Sequence, residues 1–146
     1  MSMNLELALA LIDAAKAKAK EIGVPMVIAI VDAGGNLVAL QRMDQALLVS
    51  LDIAVNKAYS AVAVKIPTHE LAKVAQPGQP LFGVHSTDKG RIVIFGGGFP
   101  FSQGNEIIGG IGVSGGSVEQ DMLCAKAALK YFKAKPYPGK AGKAEK

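Results

Sequence analysis

The stretch from residue 107 to residue 132 limits what this chain can fold into more than any other. An apolar run over residues 106–113 passes through Ser114, Gly115 and Gly116 to Ser117 and Gln120. That Ser-x-x-Gln spacing is a capping box, in which hydroxyl and amide satisfy N–H groups that a first helical turn leaves without partners. Val118, Met122, Ala125, Leu129 and Phe132 follow at i, i+4, i+7, i+11 and i+14, one apolar stripe at helical period. The pattern predicts a last strand, a glycine hinge and a closing helix that packs back on the sheet.

Gly110, Gly112 and Gly115 also fit G-x-G-x-x-G between a strand and a helix, the setting of a dinucleotide-binding turn. The rest of that unit is missing. Residues 133–146 are rich in Lys, Pro and Gly, with no second strand and no acidic residue about twenty positions on. With 17 glycines in 146 residues, a chance match is unsurprising. The glycines are read as a structural hinge that allows a helix to approach the sheet closely. An anion would suit the helix N-terminus they lead into, but that is a type of site and not a function.

One domain with a real core is expected at this length. The core must be aliphatic, because half the residues are hydrophobic while only 5% are aromatic and Trp is absent. A mean hydropathy of +0.30 is high for a monomer of this size. A homo-oligomer, dimer or higher, is therefore expected to bury apolar surface between subunits. The basic pI near 9.2 does not point to nucleic acid. Lys133, Lys135, Lys140, Lys143 and Lys146 against Glu145 hold the whole net charge of +4, so the body is balanced. The expected organisation is a domain over residues 1–132 and a basic, flexible tail over 133–146. Cys124 is alone, which excludes a disulfide framework and a cysteine-based metal site. Glu6 and Asp13 interrupt the first apolar stretch, and no run reaches a membrane span, so a cytoplasmic protein with no membrane partner is expected.

Taken in order, Asn4 caps a helix that carries Leu5, Ala8, Ile12, Ala15, Ala19 and Ile22 on one face and ends at Gly23 and Pro25. Residues 26–32 read as a buried strand, residues 32–36 as a turn and residues 37–42 as the returning strand of a hairpin. Residues 47–64 form a helix that is apolar nearly all round, except for a stripe of Asp52, Asn56 and Ser60 with Lys57 beside it. That stripe is either a solvent seam or the wall of a cavity or interface. Pro67 stops this helix, and residues 68–75 form a short helical turn. Residues 91–95 read as a strand, Gly96 to Gly98 as a bend, and residues 99–103 as extended chain that Pro100 assigns to an edge or a bulge. The sum is an α+β fold with an about five-stranded antiparallel sheet flanked by helices on both sides.

Chemistry is sparsely signalled. His69 and His85 have no partners at metal-ligand spacing, and there is no G-x-S-x-G elbow. Glu119 and Asp121 fall in the first turn of the last helix, where acids suit the dipole. His85 is set among Phe82, Phe95, Phe99 and Phe101, a concentration that fits an apolar pocket or a subunit contact. An enzyme acting on a small carbonyl or hydroxy acid would need Lys57, Asp32 or His85 as acid–base groups, and no spacing compels that. No catalytic residue is assigned.

Residues 31–36 (VDAGGN), residues 42–44 (RMD), the segment of Lys57 to Ala61, residues 76–83 (QPGQPLFG), residues 95–100 (FGGGFP) and residues 111–116 (IGVSGG) followed by Asp121 carry a resemblance. In this order, from Asn4 to Phe132, the chain resembles the GlcG/HbpS family. That family includes the C-terminal domain of PduO-type proteins and small proteins of diol and glycerol utilisation clusters. The resemblance implies a profilin-like fold, dimers or larger assemblies such as octamers, and in some members haem or another tetrapyrrole between subunits. PduO-like members are associated with a haem-ligating histidine on the first helix, where this chain has Lys16, Lys18 and Lys20 and no histidine. The axial ligand is left open among His85, His69, Met43, a threonine or a lysine.

The expected function is non-catalytic binding of a small apolar ligand, haem or another tetrapyrrole such as a corrinoid, at or near a subunit interface. The candidate ligand-binding residues are Lys57, Phe82, His85, Gly96, Gly97, Gly98, Pro100 and Ser114. The alternative is an accessory protein of diol, glycerol or glycolate metabolism that binds no cofactor. No metal is assigned.

Overall fold

The computed structural model describes residues 1–135, and the greater part of the expected basic tail, residues 136–146, lies outside them. In chain order the elements are α1 (Leu5–Ile22), β1 (Val27–Asp32), β2 (Leu37–Arg42), α2 (Ser50–Val64), α3 (Thr68–Val74), β3 (Gly98–Gln103), β4 (Glu106–Ser114) and α4 (Val118–Ala134). Two short 3-10 turns, Val84–Ser86 and Asp88–Gly90, lie in the connection from α3 to β3.

Local signals set most of these boundaries. Asn4 accepts from the Leu7 N–H, and Gly23 closes α1 in the left-handed conformation at φ 72°. The Asp32 carboxylate accepts from the backbone N–H groups of Gly34 and Asn36, both at 2.9 Å, and so shapes the β1–β2 turn. Ser117 and Gln120 form the full capping box of α4.

The sheet is antiparallel with strand order β2-β1-β4-β3. Alternation along β1 sends Ile28 and Ile30 to one face, where they join Leu11, Ile12, Ala125 and Phe132 of α1 and α4. Val27, Ala29 and Val31 go to the other face, against Ala54, Ala58 and Val62 of α2. The fold is α+β, with helices covering both faces of the sheet.

The sheet has four strands and not the five expected. Residues 91–95 are the missing one. Their backbone is bonded to a helix side chain and not to a neighbouring strand. The Ser60 hydroxyl donates to the Arg91 carbonyl at 3.1 Å and accepts from the Val93 N–H at 2.8 Å, while the Arg91 guanidinium donates to Asn56 at 3.0 Å. The polar stripe on α2 is thus in part neither a solvent seam nor a cavity wall, since Asn56 and Ser60 anchor this crossing segment. Beyond it, β3 is an edge strand with Pro100 in its interior and an irregular register after Phe101, in keeping with the position that proline dictates.

Three glycines of the last two strands serve α2. A Cβ at Gly112 would lie 1.9 Å from the Ala54 carbonyl oxygen, and one at Gly98 would lie 2.4 Å from that of Lys57. At Gly110 the clash would be with the Ala58 carbonyl oxygen at 2.9 Å. Helix main chain therefore rests directly on strand main chain. Two glycines of the G-x-G-x-x-G pattern, Gly110 and Gly112, are thus explained by the close approach of α2, while at Gly115 a Cβ would lie 2.5 Å from the Pro25 carbonyl oxygen.

Candidate functional site

A cleft opens where α3, β3 and the second half of α4 meet. Thr68, the first residue of α3, accepts from the Gly98 N–H at 2.9 Å, which pins α3 against the start of the edge strand. The next residue, His69, places its ring against Phe99, with centroids 5.3 Å apart. Across from them, α4 presents Lys126, Leu129, Lys130 and Lys133. The cavity between is about 960 Å³, walled by Pro67, Phe99, Pro100 and Leu129 and edged by the three lysines.

His69 is held in an unusual setting. Its Nδ1 is buried without a hydrogen-bond partner, and its Nε2 is 3.7 Å from a Glu70 carboxylate oxygen. Burial holds the imidazole pKa below its ordinary value, Glu70 opposes this, and Lys126 and Lys73 add to the lowering. The ring is neutral at neutral pH, with its proton on Nε2 if the sealed Nδ1 is to avoid being an unsatisfied donor.

Beneath the triple-glycine bend lies a second polar feature. Lys57 is fully buried, and its ammonium donates to the Val113 carbonyl at 2.8 Å and to Asp121 at 2.9 Å. The Phe95 ring stands 5.1 Å from the same nitrogen. The other Asp121 oxygen accepts from the Gly116 N–H at 2.9 Å. Burial depresses the Lys57 pKa and raises that of Asp121, and in each case the partner's charge opposes the shift. Gly97 makes room for this pair, since a Cβ there would lie 2.6 Å from the Lys57 nitrogen. Gly96 faces the other way, with a virtual Cβ 3.1 Å from that of His69.

The candidate residues from the sequence are divided by this geometry. Pro100 lines the cleft, and Gly96 packs behind its histidine. Lys57, Gly97 and Gly98 form packed interior, and Ser114 donates to Ser50 at 3.0 Å within it. Phe82 and His85 stand on the exposed connection after α3, edge to face at 5.9 Å. Met43, weighed as an iron ligand, accepts from the Met26 N–H through its sulfur at 3.4 Å. Asp32 is occupied by its turn. Sequence reasoning missed Asp121 as the partner of Lys57, and it missed the lysines of α4. The i, i+4, i+7 spacing of Lys126, Lys130 and Lys133 was the available signal.

The HbpS-like family, described as haem degrading protein HbpS-like, matches residues 3–130. This chain belongs to that family. Among curated relatives of this HbpS-like protein, a 15.0 kDa protein of the dhaT-dhaS intergenic region of Citrobacter freundii is 48% identical over 131 residues, 90% of this chain and 92% of that one. The corrinoid adenosyltransferase PduO of Citrobacter freundii is 46% identical over 129 residues, which are 88% of this chain and 38% of PduO. The HbpS-like chain thus spans well under half of that enzyme. Among solved structures, Klebsiella pneumoniae protein ORFY has a TM-score of 0.89 at 47% identity, covering 91% of this chain and 92% of its own. A PduOC:heme complex has a TM-score of 0.85 at 44% identity, covering 89% and 94%. A double mutant of Streptomyces reticuli HbpS has a TM-score of 0.79 at 30% identity, covering 90% and 87%.

Among the described residues, no group of three or more His, Cys, Asp or Glu could hold a metal ion, and no helix is long and apolar enough to cross a membrane.

Proposed function

We propose that this HbpS-like protein is a non-catalytic binder of haem or another tetrapyrrole, such as a corrinoid. The observation that carries the reading is the cleft. Its volume of about 960 Å³ is at the top of the range for small-molecule sites and far exceeds a diol or glycerol. Apolar walls beside three lysines suit a flat apolar body with carboxylates at its periphery. Likeness to a protein solved as a haem complex supports the same ligand class. Bound haem would supply iron-centred redox and ligand-binding chemistry. This chain's residues would bury the macrocycle against Phe99, Pro100 and Leu129 and neutralise its carboxylates. They do not fit a histidine bond to iron, because His69 is the one imidazole of the cleft and its Nδ1 is sealed, and the lysines beside it, as ammonium groups facing carboxylates, have no lone pair to give a metal.

Titration of the full chain with haemin tests the proposal. A Soret band displaced from that of free haem and saturating with protein is expected, and an unshifted band would end it.

A second reading, an accessory protein in diol, glycerol or glycolate metabolism that works by assembly in the cytoplasm without a cofactor, draws on a different observation. Leu48 is 81% exposed, and Leu47, Val49 and Phe82 are exposed beyond half. That is apolar area which self-association, as a dimer or a larger homo-oligomer up to an octamer, would cover. Sedimentation of a 15 kDa species alone would remove the assembly part of both readings.

A further inference from the structure

We infer that the cleft between α3, β3 and α4 recognises its tetrapyrrole by the peripheral carboxylates, through Lys126, Lys130 and Lys133, and not through a bond to the central metal. The inference rests on the reading above and specifies what in the ligand is recognised.

Charge is the first argument. The three lysines share one face of α4 and line the cavity. Elsewhere on the molecule Lys16, Lys18 and Lys73 pair with Asp13, Glu21 and Glu70. Lys126, Lys130 and Lys133 have no such acid among the described residues, and neither do Lys20, Lys65, Lys89 and Lys135; what sets the three apart is that they edge one apolar cavity together. The helix dipole favours a cation in the last turn, which accounts for Lys133 but not for Lys126 in the middle of the helix. An uncompensated positive edge on an apolar cavity is complementary to an apolar molecule that carries carboxylates.

The second argument is the donor set. His69 is the one imidazole lining the cavity. Binding a metal at Nε2 would move the ring proton to Nδ1, which is buried with nothing to accept it. Binding at Nδ1 is blocked by that same burial. Cys124, the one thiol of the chain, is buried on the inner side of α4, and burial pushes it up to about 11, so it is no thiolate at neutral pH.

A central metal should therefore contribute little. Metal-free protoporphyrin IX, which has the same ring and carboxylates as haem, separates the two modes of recognition. The full chain is titrated with haemin by absorbance and with protoporphyrin IX by fluorescence, at neutral pH and low salt. The expected dissociation constants agree to within about threefold, a difference below one partly exposed charge contact. Lys130→Gln should weaken both ligands by about two- to fivefold, and the Lys126→Gln, Lys130→Gln, Lys133→Gln triple variant by roughly thirtyfold. His69→Ala should leave the haem spectrum in place. Circular dichroism checks that the three exposed lysine substitutions and the half-buried His69→Ala keep the fold. Haem that binds while protoporphyrin does not, or a low-spin spectrum lost in His69→Ala, overturns the inference and leaves haem binding standing. Lysine variants that bind both ligands as the wild type does overturn it as well. Binding of neither ligand ends the proposed function, and the inference with it.

Discussion

Lys57 and Asp121, 64 residues apart in the chain, meet at 2.9 Å inside the molecule. The contact ties the middle of α2 to the first turn of α4, and the Val113 carbonyl joins β4 to it. An ion pair with this little water depends on further hydrogen bonds to its members, and here the Val113 carbonyl accepts from the ammonium and the Gly116 N–H donates to the carboxylate.

Replacing Lys57 by Met should cost about 3–5 kcal/mol, because Asp121 is left buried without its counter-charge. Urea denaturation measures it. The double variant Lys57→Met, Asp121→Asn should recover part of that loss, since the amide keeps an acceptor for Gly116 and carries no charge. A single variant as stable as the wild type would show that the pair contributes little.

Gly112→Ala should be among the most damaging single-methyl substitutions in the chain. The added carbon would lie 1.9 Å from the Ala54 carbonyl oxygen, so α2 must lift from the sheet, at the upper end of the roughly 1–3 kcal/mol typical of overpacking or beyond it. Gly104→Asn is the control, because its φ of 63° suits Asn and nothing lies within 4 Å of a Cβ there. Thermal melts of the two variants should separate clearly.

His69 should make stability depend on pH in a defined direction. Burial holds its folded pKa below the unfolded value of 6.5, so the unfolded chain binds the proton first as pH falls. Its contribution is complete above 6.5 and is lost as pH drops through the folded pKa. His69→Asn should flatten that part of the curve, measured as urea midpoints from pH 7.5 down to pH 5. An unchanged slope would place the titration elsewhere.

The Cys124 thiol, pushed up to about 11 by burial, should react with an aromatic disulfide reagent only after unfolding. Rapid labelling of the native protein at pH 8 would contradict its place in the core.

The elements legible in the sequence are those whose cause is local. Asn4, Gly23, Ser117 and Gln120 act on residues within a turn of themselves, and β1 and β2 are bounded by a turn that Asp32 builds with its own neighbours. The fifth strand was expected over residues 91–95 and is absent, because the backbone there is bonded to the side chain of Ser60, about thirty residues earlier, and no alternation pattern reports that. Lys57 drew notice as a cation on an apolar helix, but its partner could not be named. Asp121 has a sufficient local explanation in the helix dipole, which concealed its long-range one. Of the candidate ligand-binding residues only Pro100 lines the cleft, although Phe99 and His69, noticed for other reasons, line it too. Its lysines are spaced like any solvent-facing row, and only the position of α3 across from them makes a site.

Three absent methyl groups set how thin the molecule is where α2 crosses Gly98, Gly110 and Gly112. At those three contacts main chain rests on main chain, so the local spacing of the two layers is set by backbone and not by side-chain size. The depth of the ammonium that α2 carries inward is thereby decided in part by residues that have no side chains at all.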